Sequence, residues 1–581
     1  MEDFKKLWSL LSKRRHKQFY LILILMILSS LAEVVSIGAV IPFLGVFSSP
    51  DLVYQHSIMQ PINHMLAITE PEQLLLPITV FFIIAVLIST SIRLVLLYVM
   101  TRFSYAAGAD LSIDIYRRTL YQEYKTHISI NSSELINSII NKTTGVIRGV
   151  IAPVLTIISS TFLISLIMVI LFTIDFSIAF ITSIGLGLLY FGIIRMTRHR
   201  LKENSKCIAK ESTEMIKALQ EGLGGIRDVL LNGSQEFYCN MYRNADTPLR
   251  KASGDNIFIV SSPRYIIESL GMILIAFFAY HLGTQEDSMD LVIPILGSFA
   301  LGAQKLMPAL QQVYNAYGTI KGGYASFEDV LKLLSQQLPA YINDPLSSPM
   351  IFKEAIKIQN IGFRYTKKDT WVLRGINLTL EKGSITGIIG KTGSGKSTIL
   401  DLVMGLHKPS EGKILIDNTP LGLENMRSWQ SCIAHVPQSI FLIDGTIEQN
   451  IAFGVSKDKI DHKRVRQSAK QANISKMVGN LNDGYSAIVG ERGAKLSGGQ
   501  RQRIGIARAL YKGASVLIFD EATSALDNET ETQIMKEIEA LDKNITILII
   551  AHRLSTLKNC DQIIRLDESG VSIVHYSELT S

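Results

Sequence analysis

Cysteine is scarce in this chain of 581 residues, which contains four: Cys207, Cys239, Cys432 and Cys560. No two of them have the CxxC spacing of a redox or metal motif. All four fall in segments that the apolar pattern places in the cytosol, where thiols stay reduced. We therefore predict incidental free thiols.

Lysine and arginine are missing from three loops between long apolar runs, at 48–74, 173–177 and 283–290. The alternate loops, 101–150 and 198–255, are rich in both. Because positive residues are retained on the cytosolic side of a membrane, this asymmetry predicts an orientation with both termini inside. Each apolar run is long enough to cross a bilayer, which takes about 20 residues. The sequence predicts six spans, near 19–47, 75–100, 151–174, 176–197, 256–282 and 291–316.

The net charge of +7 would suit a protein that binds nucleic acid. The basic residues follow the pattern of membrane orientation instead, which disfavours nucleic acid as a partner. The basic run 13–17 precedes an apolar stretch far longer than the core of a cleavable signal peptide. We expect this segment to be an anchor that enters the membrane.

A polar stretch marked by proline and serine, 343–349, separates two halves of different composition. Beyond about 351, short β runs alternate with helical patterns, which is typical of an α/β domain. We predict a transmembrane domain over 1–335, a linker over 336–350 and an α/β domain over 351–581. The outside loop 48–74 has an amphipathic pattern that favours a surface helix, with a substrate or membrane contact as the alternative.

A phosphate-binding loop of the form GxxxxGK[ST] follows the apolar strand 385–389 and opens a helix. Its glycines allow backbone N–H groups to turn toward phosphates, and the helix N-terminus adds a favourable partial charge. We expect Lys396 to reach the β- and γ-phosphates of a nucleotide and Ser397 to offer its hydroxyl to Mg²⁺. The predicted ATP-binding residues of this loop are Gly390, Lys391, Thr392, Gly393, Ser394, Gly395, Lys396, Ser397 and Thr398.

An apolar strand, 516–519, ends in two acids, Asp520 and Glu521. We predict that Asp520 holds the Mg²⁺ shell. We predict that Glu521 takes a proton from the attacking water or orients it.

A third motif, LSGGQ at 496–500, lies between the other two. At this spacing the three motifs resemble the ATPase of an ATP-binding-cassette (ABC) transporter, and the resemblance covers the whole chain. It implies the ABC exporter fold, in which an α-helical six-span transmembrane domain precedes an α/β P-loop ATPase domain. It also implies ATP hydrolysis coupled to transport, in a cell inner (plasma) membrane, with the ATPase domain and both termini cytoplasmic.

The resemblance assigns roles to further residues. Gln438 resembles the family's residue that contacts Mg²⁺ and water, and His552 resembles the switch histidine that contacts the γ-phosphate. Tyr365 resembles the aromatic residue that stacks on adenine, and its alternative is a strand aromatic that faces the core. The cytosolic helices that touch the ATPase would lie near Ile130–Ile139 and Ser234–Met241.

In this family the signature of one cassette closes over ATP held by the phosphate loop of another. The resemblance therefore implies that Ser497, Gly498, Gly499 and Gln500 contact ATP across an interface, with Ser497 and Gly499 supplying donors to the γ-phosphate. The segment 524–527 resembles the loop that bridges two cassettes. Because the chain has one copy of each motif, we expect a homodimer in which both sites hydrolyse ATP.

Charged residues within a membrane are costly and are candidates for function. Three basic residues, Arg93, Arg264 and Lys305, lie away from the edges of the predicted spans. At a helical rise of about 1.5 Å per residue, all three lie ~21–27 Å below the predicted outer face. We predict a ring that suits a phosphate or pyrophosphate group. The alternatives are snorkelling to the inner interface, or pairing of Arg264 with Glu268 and of Arg93 with Glu33.

The membrane half resembles the PglK-type flippases of lipid-linked oligosaccharides. Short segments carry this resemblance: 32–37, Arg93, 263–265 and 305–308. Lys305 departs from the pattern, where arginine is expected, and lysine lacks the bidentate fork of arginine. The implied cargo is a polyprenyl-pyrophosphate-linked oligosaccharide, moved from the cytosolic to the outer leaflet. A lipid A or multidrug exporter is the alternative. An ATP-gated channel or regulator is another, which the intact Glu521 and His552 disfavour.

Overall fold

The computed structural model describes residues 2–48, 50–56, 59–60, 64, 68–174, 176–283, 289–343, 348–366, 368–522, 528–540, 543–551, 553–567 and 570–580. The chain forms two compact units. One comprises Met1–Gln122 and Thr126–Pro339, and the other comprises Glu123–Lys125 and Ala340–Ser581. The boundary after Pro339 falls within the stretch that the sequence predicts as a linker.

Long helices build the first unit. They are α1 (Lys13–Gly38), α2 (Leu75–Leu120), α3 (Ala152–Ile174), α4 (Phe176–Gly224), α5 (Gln235–Ser261), α6 (Pro263–Gly283) and α7 (Met289–Leu334). Shorter helices of this unit cover Glu2–Leu10, Val40–Ser48, Pro50–Gln55, Ser132–Asn137, Thr143–Val146 and Ile226–Leu231, and the helix Tyr124–Ser129 begins in residues grouped with the second unit. A 3₁₀ turn covers Pro71–Leu74, and π-helical turns cover Ser138–Lys142 and Ile147–Ile151.

Helices α1 and α2 bury polar groups and expose apolar ones. Ser29, Ser30 and Glu33 are buried, whereas Leu76 and Leu87 are 75% and 61% exposed. This distribution suits a hydrocarbon solvent, which favours apolar side chains on the outside and requires polar groups to find partners inside. Within the described residues, three helical stretches are long and apolar enough to cross a membrane: Lys13–Phe47, Pro71–Leu120 and Ser132–Thr173. They overlap the first three predicted spans, and the number of six remains a prediction.

The predicted coupling segments fall in helical parts of the first unit. The segment near Ile130–Ile139 contains the helix Ser132–Asn137 and the start of a π-helical turn, and α5 begins at Gln235 within the other. Glu123–Lys125, which lies outside both predicted segments, is grouped with the second unit. The role of the two segments as coupling elements remains a prediction.

Two sheets form the second unit. Strands β1 (Ala355–Phe363), β2 (Leu373–Glu381), β4 (Glu411–Ile416) and β5 (Thr419–Pro420) make an antiparallel sheet in the order β2-β1-β4-β5. Strands β3 (Ile385–Gly390), β6 (Ile433–Val436), β7 (Val516–Asp520), β8 (Thr546–Ile550), β9 (Gln562–Asp567) and β10 (Gly570–Val574) make the other, in the order β10-β9-β3-β8-β7-β6. Its pairs are parallel except β10 with β9.

Helices α8 (Lys396–Val403) and α10 (Gly498–Lys512) pack against the parallel sheet, and α9 (His462–Gln471) packs on α10 and on α11 (Asn528–Glu539). Shorter helices cover Met426–Ser431, Ile447–Ile451, Ser475–Gly479 and Tyr576–Thr580. Strands β7 and β8 are almost entirely buried, as expected of parallel strands covered on both faces. Because β3, β6 and β7 are parallel, their carboxyl ends lie at one edge of the sheet, where ligands bind in open α/β sheets. The phosphate loop, Gln438 and Asp520 follow or end these strands.

Candidate functional site

The phosphate loop joins β3 to α8 by left-handed turns at Gly393 (φ 87°) and Gly395 (φ 92°). This conformation disfavours any side chain at Gly395, and a Cβ there would lie 2.7 Å from Leu373 Cδ2, which would have to move. Lys396 Nζ donates to the carbonyl oxygens of Gly390 (2.9 Å) and Lys391 (3.0 Å). The loop thus surrounds the ammonium group of Lys396 at the N-terminus of α8, and together they form a positive concave surface.

Side chains of this loop differ in exposure. Lys391, Thr392 and Ser397 are exposed, whereas Lys396 and Thr398 are buried. The buried Ser394 Oγ has no hydrogen-bond partner among the described residues. A buried polar atom without a partner is costly unless a ligand supplies one. These features fit a bound phosphate chain.

Gln438 and Glu521 are brought together from positions 83 residues apart, since Gln438 Nε2 donates to Glu521 Oε2 over 2.6 Å. Glu521 adopts a left-handed conformation (φ 51°) directly after β7, and its N–H donates to the carbonyl oxygen of Ile550 on β8. Because the amide nitrogen of Gln438 faces the carboxylate, the amide oxygen is left as an acceptor for a cation. The geometry therefore places a carboxylate and an amide side by side next to Asp520.

Three oxygen donors predicted for Mg²⁺ follow or start elements at this edge of the sheet. They are the Ser397 hydroxyl, the Gln438 amide oxygen and the Asp520 carboxylate. Hard oxygen ligands of this kind, together with substrate phosphates, suit Mg²⁺. These residues would hold the ion, which would neutralise charge on the phosphates when bound.

Tyr365 lies beyond the end of β1, and 40% of it is exposed. Its ring packs edge-on against Phe363 (5.1 Å between centroids) and against His407 (5.7 Å). The core-facing alternative is therefore wrong, and one side of the ring is left for a ligand to stack on. His407 was not singled out in the sequence because no motif contains it. Burial lowers the pKa of this histidine, and the positive charge of Lys125 lowers it further.

The signature serine caps α10. Ser497 Oγ accepts from the N–H of Gln500 (3.3 Å), and the Gln500 side chain accepts from the N–H of Ser497 (2.8 Å). Because the Ser497 hydroxyl acts as an acceptor here, its own hydrogen remains available to an outside ligand. Gly498 and Gly499 add first-turn N–H groups that have no partner within the helix. The signature thus presents hydrogen-bond donors at the N-terminus of a 15-residue helix, an arrangement that suits an anion.

Two sequence predictions fall outside the described residues. They are His552 and the segment 524–527. Both remain predictions.

In the membrane half, the buried carboxylate of Glu33 lies close to two of the three predicted cations. The Glu33 side chain is 6% exposed, and its Oε1 lies 2.6 Å from Lys305 Nζ and 3.6 Å from an Arg93 guanidinium nitrogen. Ser89 Oγ donates to its other oxygen over 3.0 Å. The Arg93 pair was an alternative in the sequence reading, but the closer Lys305 pair was missed. Two cations and one acid leave this cluster with a net charge of +1.

Arg264 has a different setting. Its Nε lies 2.6 Å from Glu268 Oε1 one turn along α6, which is the pair that the sequence offered as an alternative. The two residues line a cavity of about 230 Å³ together with Met307, Pro308, Gln311, Gln312 and Asn315 of α7. Within the described residues, no ion pair or hydrogen bond joins Arg264 to the Glu33 cluster. The structure therefore brings together two of the three cations, not all three.

Comparison with known proteins decides the family. A protein-family model described as ABC transporter transmembrane region matches residues 19–300. A second family model, described as ABC transporter, matches residues 373–524. An ATP-dependent lipid A-core flippase of Alkalilimnicola ehrlichii is 30% identical over 411 residues, which is 69% of each chain. The chain belongs to the ABC transporter family. This ABC transporter couples ATP hydrolysis to transport.

Two further proteins match nearly the whole ABC transporter. The heterocyst differentiation ATP-binding protein HepA of Nostoc sp. is 28% identical over 567 residues, which is 96% of this chain and 91% of that protein. The solved structure of a bacterial Atm1-family ABC exporter with ATP bound superposes with a TM-score of 0.78, at 23% identity, over 98% of this chain and 96% of that one. The fold is that of an ABC exporter.

The ATPase unit also contains a titratable group outside the sequence motifs, Asp401 on α8. Burial and the negative charge of Asp520 raise the pKa of Asp401 to about 6. Since an unfolded aspartate titrates near 4, ionisation costs more in the folded state. Below pH ~4 Asp401 is protonated in both the folded and the unfolded state. As the pH rises from there through about 6, the contribution of Asp401 to the free energy of unfolding is lost.

We expect the nucleotide-free Asp401→Asn variant to be more stable than the parent at pH 7.5, with a difference that shrinks toward pH 4.5. Thermal unfolding and amide exchange of α8 measure this effect. Asp458→Asn, a change at an exposed aspartate of the same unit, serves as the control. A stability gain of Asp401→Asn that is the same at both pH values would contradict the raised pKa.

Proposed function

We propose that this ABC exporter is a homodimeric flippase that moves a polyprenyl-pyrophosphate-linked oligosaccharide from the cytosolic to the outer leaflet of the inner (plasma) membrane. The observation that carries the proposal is the net positive cluster at Glu33, Arg93 and Lys305 within apolar helices. An intramembrane charge is expensive and marks a path for a charged ligand. The side chains of Arg93 and Lys305 remain 52% and 41% exposed, so both can donate further hydrogen bonds to phosphate oxygens.

The cavity beside Arg264 adds a second kind of chemistry. Gln311, Gln312 and Asn315 carry amides that both donate and accept hydrogen bonds, and Asn315 Oδ1 is buried with no partner among the described residues. Amides next to an exposed guanidinium suit a headgroup that carries hydroxyls as well as negative charge. A cationic drug gains little from such a lining, which favours a glycolipid over a multidrug cargo.

The ATP site supplies the driving step. Glu521 takes the proton of the attacking water while Gln438 holds the carboxylate in place. Lys396 and the loop N–H groups bind the β- and γ-phosphates, and His552 contacts the γ-phosphate. Ser497 and Gly499 of a second copy donate to the same phosphate, so two chains are needed to complete each site. Turnover at both sites would drive the two membrane halves between inward- and outward-facing states.

Lipid A is the second candidate cargo. The lipid A-core flippases among the relatives reach 30% identity over 69–80% of this chain, which supports a lipid as the cargo. The cluster and the amide-lined cavity also suit a phosphorylated glycolipid of this class.

Flipping by an Arg264→Ala variant tests the part of the proposal that depends on the cavity beside Arg264. We expect the rate of glycolipid flipping in proteoliposomes to fall about tenfold or more, since a lost charge-assisted hydrogen bond costs ~1.5–3 kcal/mol. Basal ATP hydrolysis should remain close to that of the parent protein, because Arg264 lies in the membrane unit.

Two further variants show whether a loss of flipping comes from the cation of Arg264 or from its ion pair. Arg198→Ala removes an exposed cation from α4 and should leave flipping unchanged. Glu268→Gln breaks the same ion pair but keeps the cation. If Glu268→Gln and Arg264→Ala reduce flipping equally, the ion pair is structural and Arg264 is not a cargo ligand. Unaffected flipping by Arg264→Ala would also contradict its role.

A further inference from the structure

The segment 440–451, which follows Gln438, is fastened to α10, the helix that begins at the signature. Gln438 lies two residues beyond the end of β6, and the segment leads from there into the short helix Ile447–Ile451. Ile440 packs at Gly505 of α10, where an added Cβ would lie 2.5 Å from Ile440 Cδ1. Because Gly505 has no side chain, the segment can approach the helix closely.

Arg508 binds the same segment from the next position on this face of α10. It lies three residues beyond Gly505, and residues at this spacing share one side of a helix. Its Nε donates to the carbonyl oxygen of Asn450 over 2.9 Å, and one terminal nitrogen donates to that of Phe441 over 3.0 Å. The other terminal nitrogen donates to Asn450 Oδ1 over 3.3 Å, and the guanidinium lies 4.6 Å from the centre of the Phe453 ring. Within the part of the chain that the structure describes, its hydrogen bonds all go to this segment.

Asn450 extends the hold of Arg508 over a whole turn of the chain. It is fully buried, with 0% of its surface exposed. Its Oδ1 also accepts from the N–H of Ile443 (3.0 Å), and its Nδ2 donates to the carbonyl oxygens of Ile443 and Thr446 (3.1 Å each). Both polar atoms of the Asn450 side chain are thus used, and a buried network that is fully satisfied is rigid. Arg508 therefore holds a rigid turn in place.

Gln438 is positioned from both sides as a result. Before it, β6 pairs with β7, and Glu521 directly follows β7. After it, the chain is bound to α10, which itself packs against β6. Phe441, whose carbonyl oxygen accepts from Arg508, lies three residues beyond Gln438. A shift of about 1 Å here would break the 2.6 Å hydrogen bond from Gln438 Nε2 to Glu521 Oε2.

We infer that Arg508 is a positioning residue for ATP hydrolysis. Its guanidinium fixes the backbone at Phe441 and Asn450, and through them it holds the Gln438 amide beside Glu521 with the amide oxygen free for Mg²⁺. A partner that orients a metal ligand is typically worth about 10–100-fold in metal affinity or activity. This role rests on the proposed function of Gln438 in hydrolysis and is independent of the cargo.

Hydrolysis by the full-length exporter in detergent, without cargo, tests this role. We expect Arg508→Ala to lower kcat about tenfold and to raise the Mg²⁺ concentration for half-maximal hydrolysis by about the same factor. The KM for ATP should stay near the parental value, because the phosphate loop and Tyr365 are unchanged. Arg508→Lys keeps the cation but lacks the planar fork that makes the three hydrogen bonds. It should lie between Arg508→Ala and the parent, and it takes the place of Arg508→Ala if that variant does not fold.

Arg503→Ala is the matched control. Arg503 is another partly buried arginine of α10, and a terminal nitrogen donates to the carbonyl oxygen of Asn473 over 3.0 Å, outside the segment 440–451. Its loss should lower the melting temperature to a similar extent but leave kcat and the Mg²⁺ dependence near the parental values. Equal losses of kcat in Arg503→Ala and Arg508→Ala would overturn the inference. Parental kcat and Mg²⁺ dependence in Arg508→Ala would overturn it as well.

A double-mutant cycle separates the role of Arg508 from that of Gln438. If Arg508 acts through Gln438, Arg508→Ala should cause little further loss of kcat in a Gln438→Ala background. Additive losses of kcat would overturn the positioning role of Arg508 and leave the role of Gln438 intact. Parental hydrolysis by Gln438→Ala alone would contradict the role of Gln438 and, with it, the positioning role of Arg508.

Discussion

Replacing Glu521 with glutamine is expected to lower ATP hydrolysis about 100-fold or more while leaving ATP binding intact. A general base contributes about 10²–10⁴-fold to a rate. The amide of glutamine has nearly the same shape as the carboxylate and can still hydrogen-bond to Gln438, which lies 2.6 Å away. The variant should therefore hold ATP in a closed dimer. Hydrolysis assays and retention of labelled ATP measure the two effects.

The control variant is Glu529→Gln, which makes the same chemical change at an exposed position of α11. It should hydrolyse ATP at the parental rate. Gln438→Ala should give an intermediate loss, since it removes the group that orients the carboxylate but keeps the base. Parental hydrolysis by Glu521→Gln would mean that another group takes the proton.

Replacing Lys305 with methionine should destabilise the membrane unit by about 1–3 kcal/mol, because it leaves the buried Glu33 without its closest partner. The value lies below that of a fully buried pair, since the Lys305 side chain is 41% exposed. Arg93 remains, but its 3.6 Å separation from Glu33 is too long for a strong hydrogen bond. Thermal unfolding in detergent measures the loss, and flipping should fall with the loss of positive charge.

A double variant separates pairing from packing. Glu33→Gln combined with Lys305→Met removes the acid together with its partner, and it should recover part of the stability lost in Lys305→Met. Its flipping should stay low, because the cation is still absent. Equal stability of the single variant and the parent would contradict a stabilising ion pair. A double variant less stable than Lys305→Met would contradict the cost of the unpaired carboxylate.

The geometry of the candidate ATP site was largely predictable because its residues belong to short, local sequence patterns. The phosphate loop, the acids after β7 and the serine cap of α10 each depend on a strand end or a helix start that lies within a few residues. Alternation of β runs with helices predicted the α/β unit for the same reason. The contact of Gln438 with Glu521 needed only the parallel order of the strands that carry them.

The membrane cluster was less predictable because helix packing decides it. Glu33 and Lys305 are 272 positions apart, and no local pattern indicates which face of α1 meets which face of α7. The depth of a residue in the membrane follows from its distance along the helix, and this distance placed the three cations at one level. The direction in which each side chain points around its helix does not follow from the sequence. Arg264 was therefore grouped with residues that it does not contact. His407 beside Tyr365 was missed for a similar reason, since loop residues gain their neighbours through the fold.

Reconstituted transport with three cargoes tests the central claim most directly. Proteoliposomes containing the parent protein or Glu521→Gln would be supplied with a fluorescent polyprenyl-pyrophosphate-linked oligosaccharide, with lipid A, or with a cationic drug. We predict ATP-dependent flipping of the oligosaccharide lipid by the parent alone, slower flipping of lipid A and no movement of the drug. Flipping of lipid A or of the drug, without any of the oligosaccharide lipid, would contradict the proposed cargo.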